Sequence, residues 1–239
     1  RLVSTAGAAA VARQHWPETL VTVAGNGAQA GQEGLRGQEV AGAGRVQAWV
    51  AGPGMGTQEA ARDRLAAVLA TDLPVLADAD ALTLIGQEPG LLGRAAPTLL
   101  TPHAGELARL LGTEPGQVEA TRLAHARAAA DRFGATVLLK GSTTVIAPAG
   151  GGTVLVNPTG TSWLATAGTG DVLAGLAGAL LAHGLPAPQA AAAAAYLHGL
   201  AGRLAAAGRR GAAESPIAAG DVIRALPAAI RRVRASPIP

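Results

Sequence analysis

Short apolar runs alternate with longer stretches rich in Ala, Leu and Arg along this chain of 239 residues, and that alternation admits few folds. Leu20 to Val23, Val46 to Ala51, Pro74 to Asp78, Thr98 to Leu100, Thr136 to Leu139, Thr143 to Ala147 and Thr153 to Val156 read as strands. Several are apolar at consecutive positions, as in strands covered by helices on both faces. Thr57 to Ala70, Glu106 to Leu111, Gln117 to Arg132, Asp171 to Ala182, Ala187 to Ala206 and Ala219 to Arg234 read as helices. The alternation predicts one α/β domain, a three-layer α/β/α sandwich on a mostly parallel sheet. From Val137 to Val156 the pattern becomes strand, tight turn, strand, turn, strand, which predicts a short antiparallel β element near one sheet edge. The glycine-rich stretch Gly25 to Gly44 reads as a mobile surface loop.

Composition narrows the function. Hydrophobic residues make up 49% but aromatic residues only 2%, so the core is built from Ala, Val and Leu. The same scarcity leaves no stacking platforms for single-stranded nucleic acid. A 15% charged fraction is too low for a disordered chain or a coiled coil. Net charge is +3, and the arginines are scattered except for Arg231, Arg232 and Arg234, which read as a solvated helix face rather than a nucleic-acid patch. Absence of cysteine rules out disulfide and thiolate chemistry and fits a reducing, cytoplasmic setting. The longest uncharged stretch, Val172 to Gly202, is interrupted by His183, Pro186, Pro188 and Gln189, so it reads as two buried helices and not a membrane span.

In sheets of this kind ligands bind beyond the carboxyl ends of the strands. Gly52-Pro53-Gly54-Met55-Gly56 follows one strand and precedes a helix, so its backbone suits close approach to an anion or serves as a plain turn capped by Thr57. Asp78-Ala79-Asp80 ends the next strand with two carboxylates on one side of an extended chain, one free to cap a helix near Ala81 and Asp80 the site candidate. Thr101-Pro102-His103-Ala104-Gly105-Glu106 places an imidazole and a carboxylate one turn apart. They suit a substrate contact and a magnesium-bound water, or a capping arrangement led by Thr101. Lys140-Gly141-Ser142-Thr143-Thr144 combines a cation, a glycine and three hydroxyls, as phosphate oxygens require, and Lys140 is the only lysine among 19 basic residues. Asn157-Pro158-Thr159-Gly160 and Gly168-Thr169-Gly170-Asp171 precede a long apolar helix whose first amides form an anion hole. Asp171 in that turn can take the proton of a hydroxyl attacking phosphorus.

These segments, with Tyr196-Leu197-His198-Gly199-Leu200-Ala201-Gly202 and Ala219-Gly220-Asp221-Val222-Ile223, resemble the ADP-dependent NAD(P)H-hydrate dehydratase family over essentially the whole chain. The resemblance implies a ribokinase-like fold and a repair reaction. The hydrate of NADH or NADPH is dehydrated at the expense of ADP, releasing AMP and phosphate. It implies Asp171 as catalytic base in contact with the hydrate, with Gly54, Gly56, Asp80, His103 and Asn157 as further substrate contacts. It assigns Lys140, Gly141, Ser142, Thr143, Thr144, Gly168, Thr169 and Gly170 to the nucleotide, and Glu106 to Mg2+ through water. It further implies a homotetramer, fusion or pairing with an NAD(P)H-hydrate epimerase, and a chain lacking the family's usual N-terminal strand and helix. Two rival readings use the same residues. One is a kinase of a vitamin-precursor alcohol of the hydroxymethylpyrimidine or hydroxyethylthiazole type, and the other a nucleotide-binding module without catalysis.

Overall fold

The computed structural model describes residues 1–23, 40, 42–207 and 214–235, and the glycine-rich stretch read as a loop lies largely outside them. Strands β1 (Leu2–Ser4) and β2 (Val21–Val23) pair in parallel as a small sheet, joined by α1 (Ala6–His15). The alanine-rich α1 has no strong apolar stripe, which is why periodicity did not reveal it.

Six strands form the central sheet: β3 (Trp49–Ala51), β4 (Val75–Ala77), β5 (Thr98–Leu100), β6 (Thr136–Leu139), β7 (Thr144–Ala147) and β8 (Leu155–Asn157), adjacent in that order. The first four run parallel, while β7 is antiparallel to both β6 and β8. The antiparallel element thus stands at one edge, as the sequence pattern predicts. Helix α2 (Glu59–Leu69) links β3 to β4 and α3 (Asp80–Gln87) links β4 to β5; α4 (Ala104–Leu111), α5 (Pro115–Ala120) and α6 (Arg122–Phe133) link β5 to β6. After β8 come α7 (Thr169–Ala182), α8 (Ala187–Ala206) and α9 (Ala219–Ala235).

Side chains alternate across the strands with period two, and each set meets a different helix layer. Val75, Ala77, Leu100, Val137, Leu139 and Val145 join the core beneath α2 to α6. Leu76, Leu99, Leu138 and Ile146 join the alanines of α7 and α8. Leu76 and Leu138 are fully buried, and each contributes about 1.5–3 kcal/mol by leaving water. Small residues let α7 lie close to the sheet: a Cβ on Gly178 would stand 2.2 Å from Val50 Cγ2. Gly175 is different, since it faces outward with nothing near it. Helix α9 packs on α8 around Ala201, Val222 and Ala229. Among the described residues no helix is long and apolar enough to cross a membrane.

The helix read as continuous over Gln117 to Arg132 is two helices. Thr121 leaves the helical region (φ −138°), and immediately after it Arg122 donates to the carbonyls of Leu139 and Lys140 behind the end of β6.

Candidate active site

Four parallel strands end on one side of the sheet, and the loops leaving them meet there. Gly52 follows β3 with φ +130°, and a Cβ at that position would lie 1.7 Å from the Asp78 carbonyl oxygen, so only glycine fits where the first two loops touch. Met55 turns back on this loop through its amide, which donates to Gly52 O at 3.0 Å. Gly54 and Gly56 also have positive φ, and the Gly56 amide donates to Asp80 Oδ2 at 2.8 Å. Asp80 therefore organises the glycine loop from the first turn of α3.

The two carboxylates of Asp78-Ala79-Asp80 do not share a face. Between them Ala79 has φ +48°, the only non-glycine positive φ among the described residues, a strain of about 1–3 kcal/mol. That kink sends Asp80 to Gly56 and Asp78 inward. Asp78 is 2% exposed, and its Oδ1 lies 2.7 Å from Lys140 Nζ. Lys140 also stands 3.6 Å from Glu106 Oε2. Its backbone donates to Pro102 O at 2.8 Å and forms a bridge with His103, extending the β5–β6 pairing into the site. One ammonium group thus joins the loops after β4, β5 and β6.

His103 is the N-cap of α4. Its Nδ1 accepts from the amides of Gly105 (3.0 Å) and Glu106 (3.2 Å), while Glu106 Oε2 accepts from the His103 amide at 2.7 Å. This is a capping box with histidine where Ser or Thr is usual. Thr101, the capping residue suggested by sequence, is instead buried at the end of β5. Nε2 of His103 stands 3.6 Å from Glu106 Oε2, on a ring that is half-exposed and so within reach of a ligand.

Gly141 backs onto Arg122, whose guanidinium would lie 2.5 Å from a Cβ there. The glycine's immediate neighbour is thus the half-buried arginine that braces the loop. Sequence reasoning missed this residue because it reaches the loop through the backbone carbonyls of Leu139 and Lys140, while its other terminal nitrogen pairs with Glu119. Ser142 and Thr143 form the turn between β6 and β7, and buried Thr144 starts β7 opposite Asn157. The buried Asn157 accepts from Thr159 Oγ1 at 2.9 Å, which folds the Asn157–Gly160 loop on itself. Its carboxamide NH2 has no protein acceptor among the described residues.

The start of α7 completes the site. Gly168 is the N-cap with φ +85°. Thr169 is buried, and its hydroxyl donates to Leu164 O (2.6 Å) and Thr166 O (2.8 Å), so it offers its backbone to the site and not its side chain. Of the first-turn amides, Thr169 N bonds Thr166 O and Val172 N bonds Gly168 O. The amides of Gly170 and Asp171 have no protein acceptor among the described residues, the expected vacancy at a helix start. A Cβ on Gly170 would lie 3.8 Å from Lys140 Nζ, which sets the ammonium beside these two donors. Asp171 is exposed in the same turn. One cation, two amides and one carboxylate thus stand together, a set able to neutralise an anion such as a phosphoryl group and to accept a proton.

Among the described residues no cluster of three or more acidic, His or Cys side chains is placed to hold a metal ion. Glu106 spends Oε2 on the cap, leaving Oε1 without a protein partner among them. That donor set fits a Mg2+ carried by nucleotide phosphates and touched through water, the usual habit of this hydrated ion. Two cavities stand out among the described residues. One of about 320 Å³ is at the opposite end of the sheet, where Arg94 donates to the carbonyls of Leu69, Thr71 and Leu73. Burial lowers the pKa of this guanidinium, and its donors are committed to backbone carbonyls and the Thr98 hydroxyl. The other, about 250 Å³, runs between α3 and α4 and ends at Glu106.

The chain is 53% identical over 193 residues to the bifunctional NAD(P)H-hydrate repair enzyme Nnr of Mycobacterium tuberculosis, a match covering 80% of this chain and 36% of the relative. It is 49% identical over 161 residues to the ADP-dependent (S)-NAD(P)H-hydrate dehydratase of Neisseria meningitidis, covering 65% of this chain and 54% of that one. It therefore spans between about a third and a half of these relatives. The crystal structure of ADP/ATP-dependent NAD(P)H-hydrate dehydratase from Bacillus subtilis, co-crystallized with ATP/Mg2+ and soaked with CoA, superposes with a TM-score of 0.77 at 27% identity, covering 97% of this chain and 81% of that chain. A sequence model described as NAD(P)H-hydrate dehydratase matches residues 2–224, and with these relatives it establishes that the chain belongs to the NAD(P)H-hydrate dehydratase family.

Proposed function

We propose that this chain catalyses ADP-dependent dehydration of the (S)-hydrate of NADH or NADPH, giving NAD(P)H, AMP and phosphate. The observation that carries the reading is the exposed Asp171 carboxylate in the same helical turn as two acceptor-free amides, with the Lys140 ammonium alongside. Hydroxide is a poor leaving group, so the ring hydroxyl is first phosphorylated. Asp171 takes the hydroxyl proton as the oxygen attacks the β-phosphorus of ADP, and the bond to AMP breaks. Lys140 and the amides of Gly170 and Asp171 hold charge on the transferring group. The ring nitrogen lone pair then expels phosphate, and loss of the neighbouring C–H proton restores the double bond. A Mg2+ carried by the nucleotide would add charge neutralisation there, and Glu106 is the residue that would hold it through water.

Glycines of the β3 loop, Asp80, His103 and the Asn157 amide surround the hydrate in this reading, while Lys140 to Thr144 and Gly168 to Gly170 cradle the nucleotide. Because the bifunctional relative is about three times longer than the matched region, we assign an NAD(P)H-hydrate epimerase as the companion activity, fused or separate. The test is direct. Protein, NADH hydrate and ADP should restore the absorbance of reduced nicotinamide, with AMP appearing in equal amount. A flat trace, or ester accumulation on a pyrimidine or thiazole alcohol instead, would refute the proposal.

A further inference from the structure

The α8 segment Tyr196 to Gly202 has no substrate contact in the reading above, yet it contains a polar ring in the protein interior. His198 is 7% exposed, and burial of this kind is tolerated only when the ring finds a partner. Its Nε2 lies 2.9 Å from the carbonyl oxygen of Thr169. A carbonyl only accepts, so Nε2 bears the proton. Burial also lowers the pKa of the imidazole, which keeps the ring neutral.

The Thr169 carbonyl and the Gly170 amide are two ends of one planar peptide unit. A donor on the oxygen fixes the plane of that unit and strengthens the opposite N–H as a donor. That N–H is one of the two acceptor-free amides at the start of α7. Neighbouring positions show how α8 comes close enough. A Cβ on Gly199 would stand 2.4 Å from Thr159 Oγ1, and one on Gly202 would stand 2.7 Å from Leu164 Cδ2. The helix is therefore pressed against both segments that lead into the anion-binding turn, and only glycine at these two positions permits it.

We propose that His198 is a positioning residue: through the Thr169 carbonyl it orients the 169–170 peptide so that the Gly170 amide meets the transferring phosphoryl group. The inference rests on the reading of the α7 start given under the proposed function. A merely structural histidine would alter stability and nothing else.

The test compares His198→Gln, whose amide nitrogen keeps a donor near Nε2, with His198→Leu, which has none. His198→Leu should lower kcat at least about tenfold while KM for ADP stays within about threefold. His198→Gln should return kcat to within about threefold of the parent. A second readout does not need turnover. The 15N–1H resonance of Gly170, followed while ADP is titrated, should shift strongly in the parent and in His198→Gln and much less in His198→Leu. Equal kcat in parent and His198→Leu, equal damage in both variants, or an unchanged Gly170 response would overturn the proposal. If His198→Leu does not fold, His198→Asn, whose shorter amide falls short of the carbonyl, takes its place with the same expected outcome. A parent inactive on NADH hydrate sinks the dehydratase reading alone, because the Gly170 titration still decides the role of His198.

Discussion

Removing the Lys140 ammonium separates what holds this site together from what makes it work. Asp78 is 2% exposed and has Lys140 Nζ 2.7 Å from its Oδ1. Lys140→Met would leave that carboxylate buried without its cation. Breaking a buried pair in this way costs about 3–5 kcal/mol. The Lys140 side chain is 19% exposed, so water can follow into part of the gap and the lower end applies, about 3 kcal/mol. Glu106 adds little, because it keeps the His103 amide. At about 2–4 °C per kcal/mol for a domain of this size, the melting temperature should fall by roughly 6–12 °C. The double variant Asp78→Asn/Lys140→Met removes both charges at similar volume, a change that is close to neutral elsewhere, and should melt within about 3 °C of the parent. It should nevertheless lose on the order of 10²–10³ in kcat, since the phosphoryl group has lost its cation. Thermal unfolding followed by circular dichroism, alongside recovery of NADH absorbance, measures both quantities. A double variant as unstable as the single would refute the charge-pair account, and near-parent turnover in the double would remove Lys140 from the phosphate site.

Four further outcomes are expected. Asp171→Asn should abolish turnover while ADP affinity by calorimetry stays within a few-fold and stability within about 1 kcal/mol, because the exposed carboxylate contributes only a helix-start charge. Gly52→Ala should destabilise by at least about 3 kcal/mol, since its Cβ would collide with the Asp78 carbonyl, whereas Gly54→Ala, with open space around it, should cost only about 1–2 kcal/mol in urea unfolding. Ala79→Gly should raise stability by about 1 kcal/mol by relieving the φ +48° strain, as read from the urea midpoint. For His198, whose pKa is lowered in the fold, the unfolded chain binds a proton that the native ring refuses. Its stabilising contribution is therefore present above about pH 6.5 and lost as pH falls below that value, with a slope of up to about 1.4 kcal/mol per pH unit that His198→Gln should remove.

The architecture was legible because burial writes itself into the order of side chains. Thr136 to Leu139 is buried at every position, so its apolar run marks a strand covered on both faces, and the paired strands β7 and β8 follow from tight turns that only an antiparallel connection permits. Thr121 was not legible. Helix-forming residues continue on both sides of it, and what accompanies the break is Arg122 reaching the carbonyls of Leu139 and Lys140, a tertiary demand with no local signature. Histidine as the cap of α4 was similarly hidden, since its Nδ1 performs a task that statistics assign to Ser, Thr, Asp and Asn.

Within the site, the letters revealed which loops matter and left open how they are joined. Glycines and a solitary lysine point to a phosphate, because close backbone approach and a single positive charge are what its oxygens need. The parts that bind them into one object are backbone atoms: the Asp78 carbonyl against Gly52, the Thr169 carbonyl under His198, and the amide of Gly56 on Asp80. Every residue has such atoms, so no residue type announces them. This also explains why α8 looks inert in sequence. Its Gly199 and Gly202 are required by Thr159 and Leu164 more than 35 residues earlier, and its histidine acts on a peptide bond and not on a side chain. Substitutions that alter the spacing between these backbone groups should therefore damage catalysis as severely as loss of a charged group, although they change no chemistry that a motif would record.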